Sequence, residues 1–287
     1  MKTAGIVCDL SYQRSLLIEN YYRIVSNLFE NTVIVNSSDD LSNIDILFIG
    51  NEHFGPHRNI WFNDRFISEC HEQYNKRGMR TVVICGEKIF NTPYPICKPM
   101  QEAIWSIPGC IQYAFDVEDA ITLNRPVFGY PMSKYYHQFF PTNTNRLDKC
   151  LFIGQYTSES YSERRVVLDN INQYIETDIH CDVPNSWKEY LETYSQYKYA
   201  LCPISNANNG FPTRFYEALL VGCIPIMQVR KNTLDFYREE GTIEEAVFFT
   251  DVHELKDKLP SVHSVCHSNI VGEDRLRDML KDDNIII

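Results

Sequence analysis

Tyr197-Lys-Tyr-Ala-Leu-Cys-Pro-Ile-Ser-Asn-Ala-Asn-Asn-Gly-Phe-Pro-Thr-Arg-Phe-Tyr-Glu-Ala-Leu-Leu-Val-Gly-Cys-Ile-Pro-Ile-Met227 decides the reading of the chain. Tyr199 to Ile204 is a short apolar run, the length of one buried strand. Ser205 to Gly210 is polar and ends in glycine, which reads as a loop. Pro212 and Thr213 open a helix of good formers, Arg214 to Val221, because the N–H that proline lacks has no partner in a first turn. Gly222 ends that helix, since glycine takes the left-handed cap conformation cheaply. Cys223 to Val229 is the next buried strand. The order strand, polar loop, helix, strand puts the loop and the helix start at the carboxyl end of a parallel strand, where α/β sheets place their ligands.

The chemistry follows from that position. The exposed N–H groups of a first helical turn favour an anion, phosphate above all. Arg214 lies in this turn and can clamp phosphate oxygens with two parallel hydrogen bonds. Glu217 is one turn along the same helix face, placed to accept hydrogen bonds from ribose hydroxyls. The reading is a nucleotide-diphosphate site, to which Asn209, Gly210 and Thr213 of the loop and helix start also belong.

Arg214-Phe-Tyr-Glu217-Ala-Leu-Leu-Val-Gly222-Cys-Ile-Pro225-Ile resembles the donor-binding signature of GT-B glycosyltransferases, and within them the exostosin-like branch. The resemblance implies an α/β protein of two Rossmann-like, doubly wound parallel-sheet domains facing a cleft. It implies that Glu217 binds the ribose of a sugar nucleotide and Arg214 its diphosphate. The implied activity is transfer of a sugar from a nucleotide-diphosphate sugar, a UDP-sugar being expected, to an acceptor hydroxyl; no cofactor is expected. In similar enzymes a Gly-containing loop at the start of the second sheet approaches the donor. Here that loop is Gly154-Gln155-Tyr156-Thr157-Ser158, with Arg164 and Arg165 at the start of the following helix. Retaining relatives carry a second Glu eight residues before the ribose-binding one; this chain has Asn209 there, and an amide cannot take a proton. That departure favours inversion, and the absence of an Asp-x-Asp motif fits a metal-independent enzyme. Inversion needs one general base. The candidates sit in first-domain loops at strand carboxyl ends: Glu52 and Glu87 foremost, then His53, Asp9 and Asp116. Phe54, Trp61, Tyr94 and Trp105 are aromatic candidates for stacking on a sugar or base, or for core.

The 287 residues suffice for two α/β domains. The periodicity predicts strands at 4–9, 32–35, 44–49, 81–85 and 111–115, alternating with helices at 13–29, 61–77, 98–106 and 117–123. Such alternation means a parallel sheet with helices on both faces. Residues 124–148, with three prolines and a Thr-Asn-Thr-Asn run, read as a linker. The expected division is an acceptor-side domain over 1–140 and a nucleotide-sugar domain over 141–287. The second domain has further strands expected at 149–154, 178–181 and 246–250. Its helices are expected at 164–174, 187–197, 233–238, 253–258 and 273–281, the last returning to the first domain by analogy.

No apolar run approaches the roughly 20 residues of a membrane helix, and Ala4 to Leu10 is short and contains Asp9, unlike a signal peptide. A cytoplasmic protein is expected, unlike the membrane-anchored eukaryotic exostosins. Ten cysteines form no Cys-x-x-Cys pair; Cys8, Cys85, Cys150, Cys202 and Cys223 fall in or beside apolar runs, as buried reduced thiols do. No clustered metal ligands appear. Net charge is −11: residues 1–140 hold 12 Lys and Arg against 15 Asp and Glu, the rest 15 against 23. An acidic chain has no overall attraction to polyanions. The resemblance implies a glycan acceptor as the default, and the acidic balance argues against a nucleic acid without excluding a local basic groove. A hydroxymethylated DNA base, as for phage-type glycosyltransferases of the same architecture, is the alternative acceptor. A non-catalytic sugar-nucleotide-binding protein is the alternative from another class.

Overall fold

The computed structural model of the protein describes residues 2–7, 16–50, 64–84, 102, 105–114, 116–129, 131–137, 145–182, 184, 186–204, 212–231, 246–259 and 271–285. The chain divides into two compact units, one of residues 1–129 with 272–287 and one of residues 130–271.

In the first unit the strands are β1 (Thr3–Val7), β2 (Asn31–Ile34), β3 (Ile46–Gly50), β4 (Arg80–Ile84) and β5 (Cys110–Tyr113). They form one sheet in the order β2-β1-β3-β4-β5, every neighbouring pair parallel. The inner strands read as near-continuous apolar runs because both faces of a parallel sheet are covered: Ile6, Leu47, Phe48, Val82 and Val83 are all buried. The helices are α1 (Leu16–Leu28), α2 (Asp64–Arg77) and α3 (Val117–Leu123). Asp116 caps α3, its carboxylate accepting the N–H of Glu118 at 2.9 Å and of Asp119 at 3.3 Å. The last helix of the chain also belongs to this unit. Asn27 of α1 donates to Glu273 at 2.7 Å, the Tyr113 hydroxyl donates to Asp283 at 2.8 Å, and Arg275 Nε donates to the Val127 carbonyl at 2.9 Å.

The second unit opens with α4 (Lys134–His137), a single turn inside the stretch expected as linker. Its ring Tyr136 is buried edge-on against Trp187, so tertiary packing orders a segment whose own composition signals loop. The strands β6 (Leu147–Ile153), β7 (Thr177–His180), β8 (Tyr197–Cys202), β9 (Ile224–Gln228) and β10 (Val247–Phe249) form a second parallel sheet, in the order β10-β9-β8-β6-β7. The helices are α5 (Ser162–Asn170), α6 (Trp187–Ser195), α7 (Thr213–Leu220) and α8 (Leu255–Lys258), and α9 (Gly272–Asp282) is the helix that packs in the first unit. One face of the second sheet rests on a core that includes Phe152, Leu168, Leu201, Ile226 and Phe249.

Both sheets place their first strand between their second and third. In such an order the chain winds one way from the first strand and the other way from the third, and ligands bind at the carboxyl ends of the strands where the winding reverses. In the second unit that point lies between β6 and β8. The expected helix at 233–238 and most of the one at 98–106 lie outside the described residues. Among the described residues, no helix is long and apolar enough to cross a membrane, and Cys70, Cys110, Cys150, Cys181, Cys202 and Cys223 are free thiols.

Candidate functional site

The reversal point of the second sheet gathers most of the described donor-site candidates. β6 ends at Ile153 and β8 at Cys202, side by side. The chain leaves β6 through Gly154-Gln155-Tyr156 and reaches α5; it enters α7 at Pro212, which caps the helix without any side-chain acceptor. Thr213 is the first residue of α7 and is half-buried.

Arg214, in the first turn of α7, reaches back across the end of β6. One of its terminal amino groups donates to the Ile153 carbonyl at 2.6 Å. Its guanidinium lies over the fully buried Phe152 ring, 4.7 Å from the centroid. Its Nε is buried without a hydrogen-bond partner, and an unpaired buried donor costs about 1–3 kcal/mol. Gly154 makes this reach possible. A β-carbon at that position would sit 2.6 Å from the guanidinium nitrogen, and its φ of +150° is one that side-chain-bearing residues rarely adopt.

Arg164, on α5, meets the same ring from the other element, 5.8 Å from the Phe152 centroid and 4.3 Å from that of Tyr161. It donates to the Gln155 carbonyl, and Arg165 donates to the carbonyls of Tyr156 and Thr157, so the loop after β6 is held by two arginines. Burial, and then repulsion from Arg214, pull the Arg164 guanidinium down to about 10. Its Nε, like that of Arg214, is buried and unpaired. Two cations with unpaired donors around one apolar ring form a site of high positive potential, which an anion relieves. Tyr156 packs edge-on to Phe152 at 6.4 Å, and the exposed Gln155 side chain reaches the Cys181 carbonyl at 3.5 Å.

Glu217 lies three residues beyond Arg214 and is half-buried. Its Oε2 accepts the Tyr190 hydroxyl at 3.1 Å. Burial pushes its carboxyl above the usual range, against the pull of Arg214 and of the Tyr190 hydrogen bond. Tyr190 and Tyr194 sit one turn apart on α6, rings 5.0 Å apart, and the Tyr194 hydroxyl accepts the Ile153 N–H at 3.1 Å.

Of the residues singled out from sequence, Arg214, Glu217, Gly154, Gln155, Tyr156, Arg164 and Thr213 thus fall in this neighbourhood. Asn209, Gly210 and all four leading base candidates (Glu52, Glu87, His53 and Asp9) lie outside the described residues, as do Phe54, Trp61 and Tyr94. Asp116 is fully buried and serves as the cap of α3. Sequence reasoning missed Phe152, Tyr161, Tyr190 and Tyr194. The one signal for the last pair was two tyrosines at helical spacing on the helix before the signature strand.

No protein-family model matches the chain, and no curated protein sequence does. Among solved structures, AviGT4, a glycosyltransferase involved in Avilamycin A biosynthesis, is similar over 99% of this chain and 97% of its own, with a TM-score of 0.59 and 9% identity. An α1,3-fucosyltransferase with GDP-fucose matches over 98% and 90%, with a TM-score of 0.46 and 11% identity. UDP-GlcNAc 2-epimerase from Neisseria meningitidis bound to UDP-GlcNAc matches over 98% and 100%, with a TM-score of 0.41 and 10% identity. At 9% identity the likeness to AviGT4 is one of fold. Among the described residues the two α/β units each carry a five-stranded parallel sheet, the fold of the GT-B glycosyltransferases.

Proposed function

We propose that the second unit binds a nucleotide-diphosphate sugar and that the protein is a glycosyltransferase moving that sugar to an acceptor hydroxyl. One observation carries the reading: Arg214 is locked over the end of β6 by Ile153, Phe152 and the missing β-carbon of Gly154, one helical turn from a half-buried carboxylate. A guanidinium fixed at a sheet's reversal point suits a diphosphate, and a carboxylate a turn away suits the adjoining ribose. Arg164 supplies the second positive charge. The fold shared with the glycosyltransferase AviGT4 is consistent with this assignment.

In the proposed reaction the acceptor oxygen attacks the anomeric carbon from the face opposite the diphosphate. The bond from that carbon to the diphosphate oxygen breaks, the acceptor's proton passes to a base, and the nucleoside diphosphate leaves with the bonding electrons. Arg214 and Arg164 stabilise the charge that grows on the leaving group, which is where fixed donors act most strongly. The base is proposed among Glu52, Glu87, His53 and Asp9, the configuration inverts, and the departure of the diphosphate needs no metal. A UDP-sugar is the proposed donor and a glycan hydroxyl the proposed acceptor.

The test begins with thermal shifts in the presence of UDP-, GDP-, dTDP- and CMP-sugars, on wild type and Glu217→Ala. A ligand well above its dissociation constant stabilises a fold by about 3 kcal/mol, so one nucleotide class should raise the wild-type midpoint and not the variant's. Incubation of that donor with glycan and hydroxymethylated-DNA acceptors should then release nucleoside diphosphate and form a product whose anomeric proton reports inversion. Donor binding without turnover on any acceptor leaves a sugar-nucleotide-binding protein instead.

A further inference from the structure

Helix α6 is tied to the site by two tyrosines, Tyr190 and Tyr194. Tyr190 donates its hydroxyl to Glu217 Oε2 at 3.1 Å, the one hydrogen bond to that carboxylate among the described residues. Tyr190 packs edge-on against Tyr194, whose ring is fully buried and whose hydroxyl takes the Ile153 N–H. The carbonyl of that same Ile153 takes Arg214. Through these contacts α6 bears on both polar residues of α7. A glutamate's terminal torsion is broad when nothing holds it; a hydrogen bond to one oxygen fixes it. We infer that Tyr190 is a positioning residue of the donor site, holding one oxygen of Glu217 so that the other is left, oriented, for the ribose of the nucleotide. The inference rests on the donor-site reading above.

Among the described residues, the groups that face the Glu217 carboxyl are Arg214 on its own helix, Tyr190 and Tyr194 on α6, and the Cys202 thiol at the end of β8, itself pushed up to about 12 by burial. Burial raises the Glu217 carboxyl, while Arg214 and the Tyr190 hydroxyl lower it. Removing that hydroxyl therefore moves its titration further up.

Tyr190→Phe keeps the ring and removes the hydrogen bond. Two measurements on the full chain test the role: a carbon-13 NMR titration of the Glu217 carboxyl in wild type and Tyr190→Phe, and calorimetric binding of UDP-, GDP- and dTDP-sugars from acid to neutral pH. The NMR spectrum also reports that the variant is folded. In Tyr190→Phe, Glu217 should titrate at higher pH, the acid limb of donor binding should move with it, and affinity at neutral pH should fall roughly tenfold, as loss of one hydrogen bond to a charged group implies. Merely structural packing by Tyr190 would move neither titration. An unchanged Glu217 titration, or unchanged donor affinity alongside weakened binding in Glu217→Gln, overturns the positioning role alone. Wild type that binds none of the sugar nucleotides overturns the donor site and this role with it.

Discussion

Substituting Gly154 by alanine places a methyl group 2.6 Å from the Arg214 guanidinium nitrogen and 3.5 Å from the Phe152 ring. The ring is fully buried, so the guanidinium is what gives way. Its displacement breaks the 2.6 Å bond to the Ile153 carbonyl, about 1.5–3 kcal/mol for a charged donor. It also weakens the contact with the Phe152 ring, about 0.5–2 kcal/mol. The backbone conformation at φ +150° adds strain of about 1–3 kcal/mol. Because these contributions overlap, a net destabilisation of about 3 kcal/mol is expected, measured as a fall in urea midpoint at constant slope. Donor affinity should fall about 10- to 100-fold, the weight of one charge-assisted contact. The route can be isolated by a double-mutant cycle with Arg214→Lys. Lysine lacks the planar fork that meets the methyl group, so Gly154→Ala should cost clearly less in that background. Equal costs in both backgrounds, or an unchanged midpoint and affinity in the single variant, would refute the claim that Gly154 exists to admit Arg214.

Phe152→Leu should keep most of the core volume yet lose the ring beneath both arginines, costing donor affinity several-fold while lowering stability by about 1–2 kcal/mol. Arg164→Met removes a cation that Arg214 repels, so the unliganded protein should hold or gain stability while nucleotide-diphosphate binding weakens about tenfold; chemical melts and calorimetry read the two effects separately. Glu217 has opposite consequences for stability and for binding. Its folded carboxyl titrates above the unfolded value, so the stability it contributes is present below the unfolded pKa and is lost as pH rises through the folded one. If Glu217 binds the ribose as proposed, its ionised form is the one that accepts, so donor binding should fall as pH drops through that same raised value, and calorimetry across pH should show this limb missing in Glu217→Gln. Glu254 behaves the other way. Partial burial, which alone would raise it, is outweighed by Lys258, the Thr250 hydroxyl and the Asp251 N–H, which hold it down to about 2. Its contribution is present above the unfolded pKa and lost as pH falls toward about 2, so Glu254→Gln should flatten that part of an acid-denaturation profile.

Local chemistry made the elements legible. Each inner strand is an apolar run bounded by polar or glycine residues, and β1 through β10 lie within a few residues of where periodicity puts them. Val117–Leu123 is a helix over the expected span, and Gly222 takes the positive φ, +74°, expected past the end of α7. Arg214 and Glu217 stand out in the sequence because a helix start beside a strand end has a chemistry of its own. Their partners do not. Ile153 is 61 residues before Arg214, and Tyr190 is 27 before Glu217. Phe152 looks in sequence like any other strand aromatic; what distinguishes it is the pair of arginines that α5 and α7 bring over its ring. The turn at Lys134–His137 was equally silent, since four residues carry no period and owe their order to Tyr136 packing on Trp187.

The central claim is that the end of β6, with Arg214 and Arg164, holds a diphosphate. The most direct test is calorimetric titration of wild type and Arg214→Ala with a matched nucleoside, nucleoside monophosphate and nucleoside diphosphate, beginning with the uridine series. The account predicts that wild type binds the diphosphate at least tenfold more tightly than the monophosphate, and that this gap closes in Arg214→Ala. Equal affinity for all three in wild type, or a gap that survives the loss of Arg214, would contradict it.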